Sequence, residues 1–146
     1  MATIDYIGIE NKIKALINAD GNTSSYTVEV EPSDAIRTEA CPYVAIWLHS
    51  WDSPADDELI GGSNPVRTFL IIEIWCYAFS MENLDGSTLR DTMLANVKNV
   101  LKANRSLDDE VVITRFDGGE FQNQQDTNNL GFFKGVSIRL NCEVRE

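Results

Sequence analysis

His49 is the one histidine in the chain, so Ser-His-Asp or Cys-His catalysis would have to run through it. It sits between Leu48 and Ser50 in an alternating stretch with Trp47 and Trp51, which reads as a structural or interface histidine on a strand. Cys41, Cys76 and Cys142 are odd in number and far apart, with no CxxC pair. Neither a disulfide framework nor a zinc site follows, and buried thiols are expected. Asp52, Asp56, Asp57 and Glu58 could offer oxygens to a hard cation, but their spacing is not that of an EF-hand. They read as a solvated acidic loop. Gly61-Gly62 and Gly118-Gly119 lack the strand-to-helix setting of a phosphate loop and read as flexible turns. No GxGxxG, P-loop or HExxH pattern occurs. The expectation is a protein that is not an enzyme and takes no cofactor or metal.

Charge narrows the partners. Twelve Lys and Arg stand against 23 Asp and Glu, a formal net charge of −11. Proteins that track phosphates cluster their cations, whereas here they are scattered along the sequence. Stable nucleic-acid binding is not expected. The acidity serves solubility, or a surface that lets DNA pass without gripping it. No apolar run reaches the ~20 residues of a membrane span, and the start, Met1-Ala2-Thr3-Ile4-Asp5, lacks a signal-peptide core. Synthesis in the cytoplasm and no membrane partner are expected.

The elements that would position these residues are well marked, and a chain of 146 residues reads as a single domain, 1–146. Ile9, Ile13, Leu16 and Ile17 follow helical spacing, with a stop at Asp20-Gly21-Asn22. Strands are expected at Tyr26–Glu31 and Pro42–Trp51. The second shows Val44, Ile46 and Leu48 on one face and Tyr43, Trp47 and Trp51 on the other. After the acidic loop Asp52–Pro65, the segment Val66–Met81 is an unbroken β-type run of roughly 50 Å, apolar on both faces. Helices can cover one face, and another sheet or subunit must cover the second, which hints at an assembly component.

Asn83-Leu84-Asp85-Gly86 reads as a turn before a helix from Ser87 to Ala103, with Thr88 near its cap and Leu89, Met93, Val97, Val100 and Leu101 as its stripe. Strands at Val111–Phe116 and Phe132–Val144 close the chain. The polar stretch Asp117–Gly131 between them reads as a mobile loop. The fold class is α+β: a mostly antiparallel sheet with two helices packed on one face, in the order α-β-β-β-α-β-β.

In that order and those lengths the chain resembles the tail terminator family of long-tailed bacteriophages, also called tail-completion or head-to-tail joining proteins. The resemblance runs over the N-terminal helix, the strand Pro42–Trp51, the long strand Val66–Met81 and the helix Ser87–Ala103. It continues through Ser106-Leu107-Asp108-Asp109-Glu110 into Val111-Val112-Ile113, then a polar loop and the strand from Gly131 to Leu140. The loop Asp52–Pro65 is longer and more acidic than the family pattern. The resemblance implies a structural virion protein at the tail-head junction. Its hexameric ring caps the tail tube protein, ends tube polymerisation and meets a head-closure or connector protein, while DNA passes through unbound. Another neck or tail component, such as a head-closure or minor tube protein, is the near alternative, and a small-ligand or enzymatic α+β domain the distant one.

The long loops are the expected contact elements, since loops on a fixed sheet carry specificity. Asp52, Asp56, Asp57 and Glu58 in the first, and Glu120, Phe121 and Asp126 in the second, are the candidates, and the carboxylates of one loop, Asp52, Asp56, Asp57 and Glu58 or Asp117, Glu120 and Asp126, are expected to line or rim the opening. Leu59 and Ile60 are the expected apolar anchor.

Overall fold

The computed structural model describes residues 4–33, 37–53, 67–126 and 131–145. Helix α1 spans Tyr6–Ala19, capped where the Asp5 carboxylate accepts from the Gly8 N–H at 2.9 Å, a partner for an otherwise orphaned first-turn donor. Strands β1 (Thr27–Val30), β2 (Tyr43–Asp52) and β3 (Arg67–Ser80) follow, then α2 (Asn83–Ala103), β4 (Ile113–Phe116), β5 (Phe121–Asp126) and β6 (Gly131–Arg145). The sheet order is β1-β2-β3-β6-β4, with β5 also on β6. Only the β1–β2 pair is parallel among these.

The alternation in β3 explains the layering. Thr68, Leu70, Ile72, Ile74, Cys76 and Ala78 are buried, and their intervening neighbours from Phe69 to Phe79 are half-buried. α1 packs over β1 and β2, α2 over β3 and β6, and the helices touch each other. Ile13, Ile17, Ile72, Ile74 and Val97 have no exposed surface. Each such side chain contributes roughly 1.5–3 kcal/mol of apolar burial. On the last strand Val136, Ile138, Leu140, Cys142 and Val144 are buried, and so are Lys134, Gly135 and Ser137, so the alternation holds only beyond Ile138.

Four local expectations are corrected. Asn83–Gly86 is the first turn of α2 rather than a separate turn, and Thr88 lies inside the helix, its hydroxyl donating to the Leu84 carbonyl at 3.0 Å. Leu89, expected in the core stripe, is exposed. Trp51 is not on the face of Tyr43 and Trp47. A bulge between Leu48 and Ser50 leaves His49 as the extra residue and pairs Trp51 with Leu70 rather than continuing the earlier alternation, because one inserted residue reverses every later side chain.

The fourth concerns the stretch expected as a mobile loop, Asp117–Gly131, which contains β5. The β4 and β5 strands run end to end along β6, and their registers differ by one residue. Gly118-Gly119 forms the bulge between them. Main-chain bonds span it: the Asp117 N–H donates to the Arg139 carbonyl, the Arg139 N–H to the Gly118 carbonyl, and the Ser137 N–H to the Glu120 carbonyl, all at 2.8 Å. Backbone pairing holds this polar strand, so it needs no apolar face of its own.

Candidate interaction surface

The helices cover one side of the sheet, leaving the other side of β3 and β6 without a covering layer among the described residues. Phe69, Ile71, Trp75, Tyr77 and Phe79 project from β3 on that side, with Phe133 opposite Phe79 on β6. The rings form an ordered array. Trp75 and Tyr77 stack at 5.8 Å with 16° between planes, Tyr43 reaches Tyr77 at 6.4 Å, and Phe133 meets Phe79 edge-on at 5.5 Å. Such geometry fixes the rings before any partner arrives, so little side-chain entropy is left to lose on association.

Polar groups sit in the same layer. Glu73 uses both carboxylate oxygens, one 2.7 Å from His49 Nδ1 and the other accepting from Trp75 Nε1 at 3.2 Å. His49 thus meets the aromatic face through Glu73. Cys76 and Cys142 are buried and their thiols pushed up to about 12 by that burial. Half-buried Cys41 is raised to about 11, by burial and then by the Glu39 carboxylate. Thiols so shifted carry almost no thiolate at neutral pH and are poor nucleophiles. Among the described residues no group of His, Cys, Asp or Glu could hold a metal ion, and no helix is long and apolar enough to cross a membrane.

The residues singled out in the sequence fall in two places. Asp52 ends β2, exposed and opposite Phe69. Asp56, Asp57, Glu58, Leu59 and Ile60 lie outside the described residues. Glu120 and Phe121 sit at the β4–β5 bulge, beside Ser137, which pairs with Trp75. Phe69 and Trp75 are six residues apart on β3, or ~20 Å, so Asp52 and Glu120 do not share a site.

Glu120 is held in place. Its N–H donates to Ser137 Oγ at 2.8 Å, and its carboxylate lies 3.8 Å from the Arg139 guanidinium. Phe121 is 62% exposed, with the Arg90 guanidinium 4.9 Å above its ring. Asp126 closes β5 with its backbone opposite Gly131. Asp117 is exposed just before the bulge.

Two features escaped the sequence reading. Glu10 is buried on α1 with neither carboxylate oxygen hydrogen-bonded in good geometry, and only its place next to Ile9 in the apolar stripe could have signalled this. The cations expected to be scattered are partly gathered: α2 and its exit bring Lys98, Lys102 and Arg105 around Phe116, while Arg115, paired with Asn141 and so in line with Ile71, starts from the other face of the sheet. The i, i+4 spacing of Lys98 and Lys102 was the available signal.

No protein-family model matches the chain, and no curated protein matches it. Among solved structures, it is similar to a chain from the virion of a native gene transfer agent particle. The identity is 11%, covering 99% of this chain and 100% of that one, with a TM-score of 0.46. That likeness is one of outline, and the functional reading rests on the surface itself.

Proposed function

We propose that this chain is a structural virion protein, a tail terminator that closes into a hexameric ring on the end of the tail tube. In this reading the ring stops tube polymerisation and offers its other side to a head-closure or connector protein at the tail-head junction. It carries no catalysis and no cofactor. One observation supports it above the others: the aromatic sheet face of β3 and β6 is preformed and only half-buried in the single chain. Apolar patches of this kind mark association sites, and a ring gives each copy the same pair of neighbours. The net charge of −11 suits a bore that duplex DNA crosses without being held.

The test is to mix the purified protein with growing tail tubes and image them by negative stain. The reading expects a ring at one end of each tube and tubes that stop lengthening. Tubes that grow on unchanged would contradict it, and rings found only on isolated head connectors would favour a head-closure protein instead.

A further inference from the structure

α2 packs over β3 and β6, which leaves a groove between the helix and the β4–β5 edge. One end, about 350 Å³, runs from Lys102 and Arg105 to Phe116 over Leu140. The other end, about 270 Å³, runs from Leu94 and Lys98 to Phe116 and Phe121 over Val136 and Ile138. Phe116 pairs with Leu140 and Phe121 with Val136, both buried, so the two exposed rings rise on the helix side of the sheet. The floor is apolar and the helix wall cationic, with the Lys98 ammonium 5.4 Å over the Phe116 ring. None of Lys98, Lys102 and Arg105 has a carboxylate partner among the described residues. Glu120, on the opposite wall, is turned to Arg139. The groove therefore suits apolar side chains flanked by carboxylates.

The corner between β3 and α2 carries that chemistry. Met81 is 60% and Leu84 79% exposed, and Glu82 and Asp85 are exposed beside them. Asp85 accepts from the Ser80 hydroxyl at 2.8 Å, and neither carboxylate is paired with a cation among the described residues. Other exposed apolar side chains fit less well. Trp51 has one carboxylate beside it, Asp52, and Val112, after Asp109 and Glu110, adjoins β4 and so the groove's own wall. The corner also continues the open aromatic face, since β3 carries Phe79 just before it. It cannot fill the groove of its own chain. Leu84 and Leu101 stand near opposite ends of α2, ~26 Å apart along the helix.

We propose that the β3–α2 corner of one copy docks in the groove of a second copy. Met81 and Leu84 rest against the Phe116 and Phe121 rings, and Glu82 and Asp85 face Lys98, Lys102 and Arg105. This contact rests on the ring reading and deepens it, because it joins two different patches and so repeats from copy to copy around a closed ring.

Two measurements on protein added to growing tail tubes test it. In a Cys41→Ser background, chains bearing Glu82→Cys are mixed with chains bearing Arg105→Cys and oxidised. Disulfide-linked heterodimers are expected, and neither variant alone should give them. Both cysteines in one chain should give a ladder that ends at six, since the two positions of one chain are too far apart to join. Separately, K102E/R105E should raise the concentration needed to cap tubes about tenfold, and E82K/D85K should do the same. Both reversals in one chain should restore capping, which only a contact between chains can do across that distance. The crosslink carries the test alone if E82K/D85K does not fold.

Rings of six copies that give no crosslink overturn the contact and leave the ring reading standing. Capping that withstands K102E/R105E unchanged does the same. A crosslink from Arg105→Cys to the tube subunit or the connector, in place of the second copy, also overturns it and assigns the groove to that partner. A copy number other than six overturns the ring reading, and this contact with it.

Discussion

Glu10 carries an unusual load for a surface-type residue. Burial first, then the neighbouring Glu31 carboxylate, push its carboxyl from 4.5 up to about 8. The linkage sign follows from where the protons sit. Between pH ~4.5 and ~8 the unfolded chain releases this proton and the folded chain keeps it, so stability falls as pH rises through that window and levels off above it. Glu10→Gln removes the titration. Thermal unfolding of the variant should match the wild type near pH 4 and exceed it increasingly up to pH 8, by on the order of a few kcal/mol. A gap that does not change with pH would contradict this.

Two kinds of β3 residue should separate cleanly in mutagenesis. Ile72→Ala opens a cavity in the core and should cost about 2–5 kcal/mol in denaturant unfolding. Trp75→Ser with Tyr77→Ser lies on the half-buried open face. It should cost the single chain less than the cavity does, yet abolish ring formation by size-exclusion or mass measurement.

At the scale of elements, the bulge between β4 and β5 is the sharpest dependence on one residue. A side-chain carbon added at Gly119 would run into the Ser137 carbonyl, and neither backbone can yield without breaking the pairing with β6. Gly119→Ala should therefore raise amide exchange across Phe121–Asp126 and lower the melting temperature. Gly118, with φ +78° but open space around it, should lose less on the same change, since only backbone strain opposes it.

The same segment shows what the sequence could and could not reveal. The long strand and, Leu89 apart, the stripes of both helices were legible because apolar periodicity reports burial directly. β5 was not, because Phe121-Gln122-Asn123-Gln124-Gln125-Asp126 has no such period and is held by main-chain bonds to β6. Trp51 was misplaced because the bulge at His49 leaves no mark in the alternation. The grouping of Lys98, Lys102 and Arg105 around Phe116 was hidden for a different reason: the ring comes from β4, and only tertiary packing brings it beside the helix and its exit. Of the named contact residues, Glu120 and Phe121 stand together on the bulge, while Asp56–Ile60 lie outside the described residues.

At the scale of the whole molecule, a chain of charge −11 should not hold duplex DNA. Filter binding at physiological salt should show essentially none, and micromolar binding with a steep salt slope would contradict the passive bore. The central claim is the closed ring, which gives the open sheet face its partner. Copy number per particle, from the mass of intact tails or from quantitative protein analysis against the tube subunit, tests it most directly. Six copies at one end of each tail are expected, and a count of three or twelve would contradict the ring.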